Sequence, residues 1–182
     1  MERREFFKNV GIAGLCSCFV SRLLATETAS APQQPPQEDW RIDFARQRYS
    51  RLVSLLAARV DEGTFQQIME EVGKFCSDSG FAKQFPGRLE AYLAEMERRW
   101  GAKASFDPAT QTAHVSFQPQ SGDCACPLMG KGLVPGAACR CSVGAMRRSF
   151  SVVVGHPVTV DLKESVLQGG KCCAFAIHTQ PA

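Results

Sequence analysis

The chain lacks the G-x-x-x-x-G-K-[ST] and G-x-G-x-x-G loops that cradle phosphates, so no nucleotide site is indicated. It has only three histidines, His114, His156 and His178, and none stands in a Ser/His/Asp or Cys/His pattern that would mark nucleophilic catalysis. The catalytic residues are therefore unassigned from sequence. Charge of one sign is equally scarce. A net charge of +3, dispersed along 182 residues, excludes nucleic acid and an anionic membrane as partners implied by composition. No apolar run is long enough to span a bilayer, and no internal repeat is present. What remains, 45% apolar and 21% charged residues, is ordinary for one soluble globular domain.

Cysteine is the exception to this scarcity. There are nine, at positions 16, 18, 76, 124, 126, 139, 141, 172 and 173, and six fall in the last third of the chain. Clustering of that kind calls for a metal or a disulfide framework.

The N-terminus reads Glu2-Arg3-Arg4-Glu5-Phe6-Phe7-Lys8, followed by the mildly apolar run Asn9 to Leu24. A charged start before a short apolar core is the general build of a secretory signal, and these residues resemble the twin-arginine export motif. Residues 1–31 are expected to be a signal peptide handled by the twin-arginine translocase, and the mature domain to be periplasmic or otherwise exported. Cleavage after Ala31 competes with cleavage after Ala25, and Leu15-Cys16-Ser17-Cys18 loosely resembles a lipoprotein box with Cys18 as the lipid-bearing residue. No stable membrane insertion is expected after processing. The route carries folded cargo, so thiolates could take up metal in a reducing compartment before meeting an oxidising one. Residues 32–38, rich in Pro and Gln, read as a tether.

Residues 39–182 read as a single domain. Trp40, Phe44, Tyr49, Leu52, Val53, Leu55, Leu56 and Val60 recur at spacings of three and four, which predicts one apolar stripe on a helix of about twenty residues. Phe65, Ile68, Met69, Val72, Phe75 and Cys76 predict a second helix, with Cys76 as a core residue. A third is expected from about Pro86 to Gly101. The period then changes to two. Residues 102–106 and 112–118, joined by the turn Asp107-Pro108-Ala109-Thr110, predict a β-hairpin. A Gly/Cys/Pro-rich loop, residues 121–138, leads to a helix from about Ser142 to Gly155, and residues 157–162 and 173–178 predict a second hairpin. The expected fold class is α+β, with helices packed on a twisted antiparallel sheet made of two β-hairpins.

Cys124-Ala125-Cys126 and Cys139-Arg140-Cys141 are two C-x-C pairs separated by twelve residues, with Cys172-Cys173 opening the last strand. Two close pairs can supply the four thiolates of a structural zinc. A helix starting just after Cys141 is expected to lower that thiol's pKa. Inter-cluster disulfides, an iron–sulfur cluster and inert core thiols are the alternatives. Of the acids and bases nearby, only Glu164 and His156 offer themselves as a catalytic base.

Residues 124–178 also carry a resemblance. The C-x-C-P and C-x-C-S pairs are followed by Val154-Gly155-His156-Pro157-Val158-Thr159-Val160, then Glu164-Ser165-Val166-Leu167-Gln168-Gly169-Gly170 and Cys173-Ala174-Phe175-Ala176-Ile177. This run resembles the 4-vinyl-reductase-like small-molecule-binding domain and the L-2-amino-thiazoline-4-carboxylic acid hydrolase-like family of bacteria. The resemblance implies an apolar ligand pocket beside a cysteine-bound zinc, with Cys139 or Cys141, and Cys173, as ligands. Where the family has E-x-x-C, this chain has Leu162-Lys163-Glu164-Ser165, so Cys124 and Cys126 are expected to complete the set. The resulting expectation is an exported small-molecule-binding or sensor-like domain with a zinc held by Cys124, Cys126, Cys139, Cys141 and Cys173. The alternative it implies is a metal-assisted hydrolase of a small cyclic amide or thiazoline.

Overall fold

The computed structural model describes residues 40–77, 80–119 and 124–180; the expected signal peptide, Cys18 and the tether lie outside them. In chain order the elements are α1 (Trp40–Ala57), α2 (Glu62–Ser77), α3 (Leu89–Trp100), β1 (Lys103–Asp107), β2 (Thr112–Phe117), α4 (Arg140–Val154), β3 (Thr159–Glu164) and β4 (Cys173–His178). Short 3-10 turns cover Ala82–Gln84, Gly136–Cys139 and Val166–Gln168. This is the expected α+β class.

The four strands form one antiparallel sheet in the order β1-β2-β4-β3. Two hairpins thus become one sheet because the last strand inserts between β2 and β3. Alternation assigns the faces. Val115 pairs with Phe175 and Ala113 with Ile177, while Val160 and Leu162 meet Ile177 and Phe175 from the other side. These residues turn inward under Tyr92, Leu93 and Met96 of α3 and Val143, Phe150 and Val153 of α4. The opposite face exposes Lys103, Ser105, His114, Asp161 and Lys163. The β1–β2 turn is closed by Asp107, whose carboxylate accepts from the Ala109 N–H at 2.9 Å and the Thr110 hydroxyl at 2.8 Å.

Local chemistry explains the helix ends. Asp61 precedes α2 and accepts from the Thr64 N–H at 3.0 Å and hydroxyl at 2.6 Å, satisfying a free first-turn donor. α3 starts at Leu89 and not at Pro86: Gly87 adopts φ +66°, which no right-handed helix admits, so Pro86-Gly87 is spent on the approach turn. α4 starts at Arg140, two residues before Ser142, and therefore takes Cys141 into its first turn.

α2 and α4 cross at two glycines. A Cβ on Gly73 would meet the Cys141 carbonyl oxygen at 1.7 Å, and one on Gly144 would meet the Glu70 carbonyl oxygen at 2.0 Å. The mostly buried Glu70 carboxylate then pairs with both Arg140 and Arg147, seven residues apart on α4 and on either side of Gly144. Beyond this crossing lies a second core, in which Val53 of α1 and Phe65 and Met69 of α2 pack against Met129, Val134 and Ala138 of the cysteine-bearing loop.

Three expectations are corrected here. Cys76 is exposed, since the buried stripe of α2 is Phe65, Met69 and Gly73 and stops there, short of Cys76. Val72 and Phe75 are exposed as well. In α1 only Val53 of the apolar pattern is fully buried, because the helix meets the second core along a narrow edge, and Trp40, Phe44, Leu52 and Leu55 face outward.

The glycine crossing leaves no room for a methyl group. Gly144→Ala is expected to lower unfolding free energy by about 2–3 kcal/mol, read as a shifted urea midpoint; an unchanged midpoint contradicts the crossing.

Candidate functional site

The inner rows of the sheet run past the cover supplied by α4. Phe117 of β2 pairs with Cys173 of β4 one rung beyond Val115 and Phe175. On that rung the first turns of α4 and the loop leading to it form the opposite wall. The result is an apolar cavity of about 200 Å³ lined by Phe117, Phe175, Met146 and Pro119 together with Cys124, Cys126 and Cys173. Ser142 supplies a hydroxyl to the lining. Cavities of this size and character hold small apolar molecules.

The remaining two thiols lie behind this wall. Cys139 is buried, and its Sγ lies 2.6 Å from the Ser165 Oγ. That contact ties the turn before α4 to the turn after β3. Cys141 lies 4.0 Å from the Met129 sulfur. Cys124, Cys126 and Cys141 pack against the second core, and Cys173 against the first. Four of the five expected ligands thus flank one or other core, and the fifth, Cys139, is tied to Ser165. Tyr49 of α1 roofs the group: burial pushes its hydroxyl up to about 12, and Cys141, Cys126 and Cys76 add like-charge repulsion.

The electrostatics favour neutral thiols. Burial pushes Cys124 up to about 11; a hydrogen bond with the Cys126 backbone opposes the rise, and Cys126, Cys139 and Cys173 reinforce it. Burial pushes Cys141 up to about 12, opposed by the Ser142 hydroxyl and reinforced by Cys126, Cys139 and Cys124. Cys139 is raised too, chiefly by burial, against a hydrogen bond from Ser165. The expected lowering of Cys141 is overturned: inside the first turn of α4 the thiol is desolvated, which raises it.

Three of the sulfurs, those of Cys124, Cys126 and Cys173, line one cavity. Yet among the described residues no three His, Cys, Asp or Glu side chains stand close enough together to hold a metal ion. The donor set is right in kind for zinc, but in this arrangement it is not a coordination shell.

The two candidate bases do not line the cavity. Glu164 accepts from the Lys171 N–H at 2.5 Å, from the Cys172 N–H at 3.3 Å and from the Cys172 thiol at 3.4 Å, closing the glycine turn before β4. These bonds hold its carboxyl below the usual range. His156 makes a 3.0 Å contact with the Pro157 carbonyl. The sequence pattern does not reveal one polar chain: the His178 ring lies 3.2 Å from both the Thr112 hydroxyl and the Asp161 carboxylate. The alternation of β4 points to it only when β4 is placed as an inner strand. The chain joins three neighbouring strands and reads as cross-strand cohesion.

Raised thiol pKa values link folding to pH. Protons are held more tightly in the folded state, so this part of the stability is complete below the unfolded thiol value of about 8.5 and is lost as pH climbs toward 11. Denaturation midpoints are expected to fall between about pH 8.5 and 10.5 and to fall less steeply in Cys141→Ser. A wild-type midpoint independent of pH over that window contradicts the burial of these thiols.

No protein-family model matches this chain, and no curated protein matches it significantly. Among solved structures, it is similar to a trafficking protein particle complex subunit 3 from Naegleria fowleri covalently bound to palmitic acid. The identity is 13% and the TM-score 0.49, with 76% of this chain and 95% of that one covered.

Proposed function

We propose that this chain is an exported small-molecule-binding, sensor-like domain whose ligand occupies the thiol-walled cavity. One observation carries the reading: at the end of the inner sheet rows, Phe117, Phe175 and Met146 leave an apolar space of about 200 Å³ instead of closing on one another. Well-packed interiors contain few voids of that size. The lining suits a neutral, flat, apolar molecule, with Ser142 and the thiols of Cys124, Cys126 and Cys173 as weak hydrogen-bonding groups. Export is supported by Arg3-Arg4-Glu5-Phe6-Phe7-Lys8. Indole, a neutral aromatic of matching size, serves as the test probe. It is expected to shift the Met146 methyl signal in NMR, and Met146→Trp, which fills the space, is expected to weaken binding at least roughly tenfold. Binding unaffected by that change removes the cavity as the site.

A zinc ion is the second reading, favoured by the three thiols, of Cys124, Cys126 and Cys173, that line one cavity; Cys139 and Cys141 would complete the set. Binding would have to displace thiol protons that burial holds tightly, so uptake should be steeply pH-dependent. On this reading the thiols must first rearrange, since no three donors among the described residues stand within a metal's reach, and elemental analysis of protein purified from the cytoplasm would then find about one zinc per chain and little in Cys126→Ser or Cys139→Ser. Equal metal content in all three removes this reading and leaves the cavity untouched.

A further inference from the structure

All the cysteines of the described residues are free thiols, and three of them, Cys124, Cys126 and Cys173, line one small cavity. The others are engaged or placed elsewhere. Cys139 meets the Ser165 hydroxyl at 2.6 Å, Cys141 the Met129 sulfur at 4.0 Å, and Cys172 donates to the Glu164 carboxylate at 3.4 Å. Cys76 is exposed at the end of α2. Thiols that share the wall of one small space can be joined by oxidation.

Geometry narrows the pairing. A Cys124–Cys126 bond would close a strained ring between residues i and i+2, so the partner of a loop thiol is Cys173, which opens β4. Of the two loop thiols, Cys124 is the one whose titration Cys173 raises, whereas Cys126 leads the thiols that raise Cys141 behind the wall. The two partners differ in constraint. Cys173 is paired with Phe117 in the sheet, whereas residues 124–135 form neither helix nor strand. Arg46 donates to the Pro127 carbonyl at 2.8 Å, which anchors the loop three residues beyond Cys124.

We infer that Cys124 and Cys173 form a disulfide across the cavity when the domain meets a disulfide oxidant, and that this bond closes the space to ligands. A compact space of about 200 Å³ spans roughly 7 Å, and a disulfide draws its two Cβ atoms to about 3.8 Å. The loop must therefore come down onto the end of β4 and take up the space beside Phe117 and Met146. The Cys173 thiolate attacks one sulfur of the oxidant and expels the other as a thiolate. The Cys124 thiolate then attacks the Cys173 sulfur of the mixed disulfide and expels the second. Two electrons pass to the oxidant, and the two cysteine protons end on its two thiols. Because burial pushes Cys124 up to about 11, the second step is slow at neutral pH and quickens about tenfold per pH unit. The loss of ligand binding rests on the proposed cavity reading; the bond itself does not.

Full-length protein purified under reducing conditions and treated with oxidised glutathione at about pH 8 tests both parts. Peptide maps taken with and without reductant are expected to show a Cys124–Cys173 cross-link, and Cys124→Ser is expected to stop at a glutathione adduct on Cys173. Oxidised protein should bind indole at least roughly tenfold more weakly than reduced protein, and dithiothreitol should restore binding. The Met146 methyl signal should also move on oxidation with no ligand present. If the reduced protein does not bind indole, the proposed function fails, and this signal alone decides closure. Maps in which Cys124 or Cys173 stays free, or pairs elsewhere, overturn the bond. A formed bond with unchanged indole affinity overturns the closure, as does an unmoved Met146 signal.

Discussion

The backbone-to-backbone approach of α2 and α4 is the constraint on which the rest of the architecture depends. With hydrogen alone at Gly73 and Gly144, the two helices sit closer than any side chain permits, and Glu70 then grips α4 at Arg140 and Arg147 on both sides of the contact. The consequence is positional. α4 cannot slide or rotate, so its first turn is held where Cys141 faces the second core and Met146 faces the end of the sheet. Moving α4 by one residue would turn Met146 away from Phe175 and leave the inner rows without their far wall.

This constraint also separates two kinds of packing. On one side of α4 the aromatic core of Tyr92, Phe150 and Phe81 is dense, with Tyr92 and Phe150 edge to face at 5.3 Å between centroids. On the other side Val53, Phe65 and Met69 of the helices pack against Met129, Val134 and Ala138 of irregular chain, with Cys124, Cys126 and Cys141 at the margin. Methionine and cysteine are adaptable fillers, and the cavity lies where the two materials meet. Of the thiols that line it, Cys124 is held neutral by desolvation. Toward a ligand it behaves as soft, weakly polar surface, and as a nucleophile it is poor at neutral pH.

Two periodicities make much of the fold legible in the amino-acid sequence. The switch from a repeat of 3.6 to one of two divides helices from strands, and the polar turn at Asp107 and the glycine pair before Lys171 bound the hairpins. The placing of cysteines on a loop, a helix start and a strand is legible as well. Properties set by tertiary contact are not legible in this way. Periodicity reports which face of α1 is apolar but not whether anything covers it, and Trp40 and Leu52 are bare. The helix start near Cys141 suggests a lowered pKa, but the sign depends on burial, which a local pattern does not contain. The glycines at 73 and 144 carry no local signal in the middle of good helices; their meaning is their partner's backbone. The cavity itself is a failure of closure between strand ends and a helix, and no single segment encodes it.

The insertion of β4 between β2 and β3 has a consequence for the order of assembly. The edge strands β1 and β3 and the inner strand β2 all leave the ribosome before β4 does, so until β4 arrives the β1–β2 hairpin keeps an unpaired edge and β3 has no strand partner. Such edges are templates for wrong pairing. Long-range pairing of this kind is slow to form, and the chain therefore passes through a window after synthesis in which Val115 and Val160 are bare. The seam between β2 and β3 is sealed by the one strand that also carries Cys173.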